Sequence, residues 1–171
     1  DAGVSNVTFL EGGFEVAFPE RGTLDAVVGR RVLMYQPDAA QAISQLTDAV
    51  RSGGVIAFHE HDMVEISDGG ISLPLHDQVR SWLREMLRHE GANLSMGFQL
   101  HSALSAAGLD VQRVRAEANI LTPTASYPIA SIIRAVLPRL LQHGIVTEAE
   151  ADVETLDDRL TPERIAAGGS C

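Results

Sequence analysis

Residues 24–62 read LDAVVGRRVLMYQPDAAQAISQLTDAVRSGGVIAFHEHD. Leu24-Asp25-Ala26-Val27-Val28 is a β-rich run closed by Gly29, and it reads as a buried strand. Pro37-Asp38 opens a helix in which Ile43, Leu46, Ala49 and Val50 fall at helical spacing, with Gly53-Gly54 as its end. Val55-Ile56-Ala57-Phe58 follows at once as a second strand. Strand, helix, strand in so short a span is a βαβ unit. Its right-handed crossover implies parallel strands in a sheet covered on both faces.

Upstream, Val7-Thr8-Phe9-Leu10, closed by Gly12-Gly13, reads as a further buried strand. Downstream, Leu75 to His89 carries Val79, Trp82, Leu83, Met86 and Leu87 on one face, with Gly91 placed to stop an amphipathic helix. Gly97 to Ala107 predicts another helix, ended by Gly108, and Val111 to Arg115 alternates like an edge strand with one polar face. Ser131 to His143 predicts an apolar helix kinked at Pro138. An acidic helix is expected from Thr147, its N-cap, to about Arg159. There is no internal repeat or linker, so one domain is expected over 1–171, with a βαβ part in 1–62 and a mainly helical part with one further strand in 63–171.

With 171 residues, 45% of them hydrophobic, the chain can bury roughly 70% of the surface that its unfolded form exposes. A formal net charge of -10 argues against nucleic acid, whose binding needs clustered cations. All 13 basic residues are arginine, a hint of a GC-rich bacterial coding sequence. The single cysteine, Cys171, excludes an internal disulfide. No apolar run reaches the roughly 18 to 20 residues that span a bilayer, and no signal peptide is visible, so a cytoplasmic location with no membrane partner is expected. The chain starts at Asp1 without methionine, and both ends read as cuts.

Three stretches in order, NVTFLEGGFEVAFPE (6–20), residues 24–62 and LHSALSAAGLDVQRVRAE (100–117), together resemble the second half of class I S-adenosylmethionine-dependent methyltransferases. The resemblance implies an α/β, partial Rossmann-like, mostly parallel sheet flanked by helices with a helical C-terminal segment. It places 6–20 at the third family strand, 24–62 at the fourth and fifth, and 100–117 leading into the sixth. It further implies S-adenosylmethionine as cofactor and a small molecule as methyl acceptor. The first two strands and the seventh are absent, as is the Gly-rich turn, since no G-x-G-x-G run occurs. Val7 to Leu10 would then be orphaned, and an unpaired strand invites pairing with another chain. The fragment is expected to be inactive alone. The alternative is a non-catalytic α/β binding or interaction domain derived from the same fold.

Ligands of open parallel sheets sit beyond the C-terminal ends of the strands, here Gly12-Gly13-Phe14, Gly29-Arg30-Arg31 and His59-Glu60-His61. Phe14 offers an apolar face to an adenine ring. The resemblance implies an acid after Gly12, where this chain has Gly13; Glu11 or Glu15 could replace it, and Glu15 reads equally as a solvated carboxylate. Gly29 and Arg30 match the position that meets the methionine part of the cofactor. Arg30 and Arg31 could pair a carboxylate of cofactor or substrate, or serve as surface charges. Met34 and Tyr35, with Glu60, are assigned to the substrate pocket, against plain core packing for their neighbour Leu33. His59 and His61 are candidate general bases; the competing readings are a metal pair, for which the ligand set is too small, and solvated histidines. A homodimer is one use for the apolar Ser131–Leu141 helix, covering a substrate the other.

Overall fold

The computed structural model describes residues 5–13, 21–63, 73–117 and 128–166. Strand β1 (Leu24–Arg30) pairs in parallel with β2 (Val50–His59), joined by helix α1 (Ala39–Thr47). Asp38 caps α1, its side chain accepting from the Gln41 N–H at 2.9 Å. The parallel βαβ unit is therefore present. Its helix is shorter than the periodicity predicts, because Ala49 and Val50 belong to the ladder: the Leu24 N–H donates to the Ala49 carbonyl at 2.9 Å, and Val50 is the partner of Leu24. Two apolar residues in a row suit a helix face and a strand start alike. The ladder then skips to the Ala26–Val55 pair, and Arg51, in the stretch between, bridges to Asp25 at 2.6 Å.

One face of the sheet packs on the helices. Phe58 lies against a core of Leu33, Met34, Ala42, Ile43 and Met96 drawn from α1, the turn after β1 and the helix Met96–Ala106. The opposite face carries Ala26, Val28, Val55 and Ala57, and it is bare among the described residues, with Val28 80% and Val55 60% exposed. The expectation of a sheet covered on both faces is thus corrected for the described residues. Val7 to Leu10 is not a buried strand: it has no ladder partner among the described residues, and Phe9 is 92% exposed. Apolar β-formers make a strand only when an edge is within reach.

Helix α2 (Pro74–His89) follows with proline in its first turn, then α3 (Met96–Ala106). Residues 111–115 form no strand. Residues 111–113 line, with part of β2, a cavity of about 440 Å³ whose walls include Val50, Val55, Ile56, Leu109 and Val111. Helix α4 (Ile129–Gln142) continues through Pro138. The acidic helix is two pieces, α5 (Glu148–Ala151) and α6 (Leu156–Ala166). Thr147 caps the first through a capping box with Glu150, and Asp152 ends it in the left-handed region at φ 35°. Arg159 closes the break by donating to the Ala151 carbonyl at 2.8 Å. Val79, Trp82, Met86, Ile133, Leu140 and Leu156 form a second core, and Leu87 packs against both cores.

Candidate functional site

The parallel register sets Gly29 opposite Phe58 and Arg30 opposite His59. Side chains alternate along a strand, so Arg30 and His59 stand on the bare face of the sheet, at its C-terminal end. Arg31 leaves β1 with φ 54°, a left-handed conformation costly for a residue with a side chain, held by its N–H donating to the His59 carbonyl at 2.9 Å.

The chain next turns inward over Glu60. The N–H groups of Val32 and Leu33 donate to Glu60 Oε1 at 3.1 and 3.0 Å, and that of Met34 to Oε2 at 3.4 Å. Glu60 is buried, and its carboxylate occupies the N-terminus of the short 3-10 turn Leu33–Tyr35. Asp62 does the same for α3, accepting from the Phe98 N–H at 3.2 Å. Gly97 permits this approach, since a Cβ there would stand 3.1 Å from Asp62 Cβ. The two acids of the His59–Asp62 run are therefore anchored to backbone, while the two histidines stay exposed.

His61 is held below its ordinary pKa by partial burial first, then by the Arg31 guanidinium, with Asp62 pulling the other way and His59 adding to the depression. Its imidazole is thereby kept neutral and able to accept a proton near neutral pH.

Met34 is 2% exposed and packed in the core. Tyr35 beside it is half-exposed. Gly12 and Gly13 lie in an exposed segment outside the sheet, and Phe14 and Glu15 fall outside the described residues. Among the described residues no group of three or more His, Cys, Asp or Glu side chains could hold a metal ion, and no helix is long and apolar enough to cross a membrane.

Sequence reasoning left other histidines without roles, and two ionic clusters form around them. His76 is fully buried, its Nδ1 2.6 Å from Glu163 Oε2, while the Leu75 and His76 N–H groups donate to the same carboxylate at 3.0 Å each. Glu90 binds Arg139 in a fork and lies 3.3 Å from His143 Nε2, whose ring stacks on His89 with centroids 5.4 Å apart. No spacing in the sequence announces contacts between elements so far apart.

S-adenosylmethionine, the cofactor that the resemblance implies, does not fit the described residues as a complete site. The bare α-carbon of Gly29 faces the Phe58 ring instead of open space, and Glu60 is committed to three backbone N–H groups. Gly12 and Gly13 are not joined to the sheet. No protein-family model matches the chain, and no curated protein matches it.

Proposed function

We propose that this chain is the strand-end and substrate-side part of an S-adenosylmethionine-dependent methyltransferase acting on a small molecule, and that it is inactive alone. The observation that carries the reading is the parallel β1–α1–β2 unit whose strand ends gather Arg30, Arg31, His59 and His61 at one place. That is where open parallel sheets bind their ligands. Within it His61, with its lowered pKa, is the proton acceptor for a hydroxyl or amine, and His59 stands beside it. Tyr35, half-exposed, stands on the acceptor side, while Met34 belongs to the core. The protein's share of the work is alignment of the two reactants and exclusion of water.

Reading the coding sequence ahead of Asp1 tests this. An in-frame Gly-rich strand, turn and helix, with an acid about 20 residues on, supports it. A natural start at Asp1 favours the second reading, a non-catalytic binding domain, which the full commitment of Glu60 to backbone also suits. In calorimetric titration the chain alone is expected to show no micromolar affinity for S-adenosylmethionine, and such affinity would overturn its inactivity.

A further inference from the structure

The loop that ends β2 sorts its charges by direction. Glu60 and Asp62 spend oxygens on backbone N–H groups, whereas His59 and His61 remain exposed. Beside them stand Arg30, the ladder partner of His59, and Arg31 in its left-handed turn, both exposed. Neither arginine has an acid within ion-pair distance among the described residues, although Arg21, Arg51, Arg115, Arg134 and Arg139 each have one. The chain carries a formal net charge of -10, yet here the two guanidinium groups are exposed while the neighbouring Glu60 and Asp62 carboxylates are turned to backbone N–H groups. Backbone strain at Arg31 fits the same picture, since strained residues that the fold holds in place concentrate at binding sites.

We propose that Arg30, Arg31, His59 and His61 form a subsite for the carboxylate of an anionic small molecule. Guanidinium groups grip carboxylates through paired N–H donors, and the imidazoles beside them offer further N–H donors. The role of the subsite rests on the methyltransferase reading: there the carboxylate belongs to the methyl acceptor. S-adenosylmethionine carries a sulfonium and an ammonium against one carboxylate, so a cationic rim suits an acidic acceptor better than it suits the donor.

The test is titration of the 171-residue chain with malonate at constant ionic strength, followed through the imidazole resonances of His59 and His61. A saturable shift is expected, with the His61 titration midpoint moving up, and chloride at equal ionic strength should not reproduce it. The double variant Arg30→Gln, Arg31→Gly should weaken malonate binding by about tenfold or more, the size of a lost charge-assisted pair. Glycine accepts the left-handed turn, so this variant keeps the fold, checked by unchanged amide resonances elsewhere. Absence of a saturable shift, or equal affinity in the variant, overturns the subsite. Inorganic phosphate binding about tenfold tighter than malonate would reassign it to phosphate esters and overturn the carboxylate proposal. The cofactor takes no part in these titrations. Malonate binding by the chain, with a coding sequence ahead of Asp1 that holds no Gly-rich strand, turn and helix, would therefore sink the methyltransferase reading and leave the subsite standing, whereas such a Gly-rich unit without malonate binding would do the reverse.

Discussion

Gly29 lies directly across the parallel ladder from Phe58, and the Phe58 ring fills the space that a side chain at residue 29 would need: a Cβ there would collide with Phe58 Cε1. A strand-end glycine is readily taken as a place where backbone meets a ligand. Here packing across the sheet accounts for it. Gly29→Ala is expected to destabilise the chain by about 1–3 kcal/mol through overpacking. Trimming the ring in Gly29→Ala, Phe58→Leu should recover part of that loss, and urea denaturation of the two single variants and the double variant measures the coupling.

Glu60 gives the second prediction. Its carboxylate accepts three N–H groups from Val32, Leu33 and Met34 in a buried setting. Glu60→Ala leaves those donors to find other partners and should cost about 2–3 kcal/mol, while Glu60→Gln, which keeps one acceptor oxygen, should cost about 1 kcal/mol. Equal stability of Glu60→Ala and the wild-type chain in urea would refute the capping role.

Much of the secondary structure could be read from the sequence because its signals are local. Thr147 is the N-cap it was expected to be, though of a shorter helix; the helix expected to open at Pro37-Asp38 starts at Ala39 with Asp38 as its cap, and the one expected over Leu75–His89 starts one residue earlier, at Pro74. The errors arise where the deciding partner is remote. Val7 to Leu10 has the composition of a strand and no edge to join among the described residues, and Val111 to Arg115 forms no strand, residues 111–113 lining a cavity with part of β2. At the candidate site the sequence shows an alternation of His and acid from His59 to Asp62, but not which residue type turns inward. That is decided by the N–H groups of Leu33 and Phe98, which only the fold brings near. The His76–Glu163 contact, between positions 87 apart, lies beyond any local rule.

The same contact sets an acid limit on stability. Burial alone would raise the Glu163 pKa, but the hydrogen bonds from His76 and from the Leu75 and His76 N–H groups outweigh it, so the carboxyl is held below its ordinary value of 4.5. A depressed carboxyl contributes stability that is present above the unfolded-state pKa and is lost as pH falls through the lower folded-state value. Glu163→Gln should therefore lower stability at neutral pH by about 1–3 kcal/mol and flatten the decline below pH 4.5. Thermal unfolding of both proteins across the acid range reads the difference.

Val28 and Val55, 80% and 60% exposed, leave an apolar strip on the sheet face that no described residue covers. Since neither packs against the described core, Val28→Thr should change stability by no more than about 0.5 kcal/mol. It should reduce any self-association that uses this face, because bare apolar area is what such contact buries. Sedimentation velocity over a concentration series, run beside urea denaturation, separates the two effects.

Arg31 supplies the final prediction because its backbone and its side chain make opposing demands. At φ 54° a residue with a Cβ is strained, and glycine is not. Against this, glycine loses more freedom on folding, so the gain from Arg31→Gly should be a fraction of the roughly 1–2 kcal/mol left-handed penalty, seen as a raised melting temperature. Arg31→Ala removes the same guanidinium but keeps the strain, so it should not share that rise. Losing the guanidinium also removes one of the causes that depress His61, whose imidazole pKa should rise in both variants when followed by NMR. A stabilised Arg31→Gly protein with a higher His61 pKa would mean that the chain tolerates strain at this strand end while the arginine keeps its neighbour neutral. An unchanged His61 pKa would break that link between conformation and chemistry.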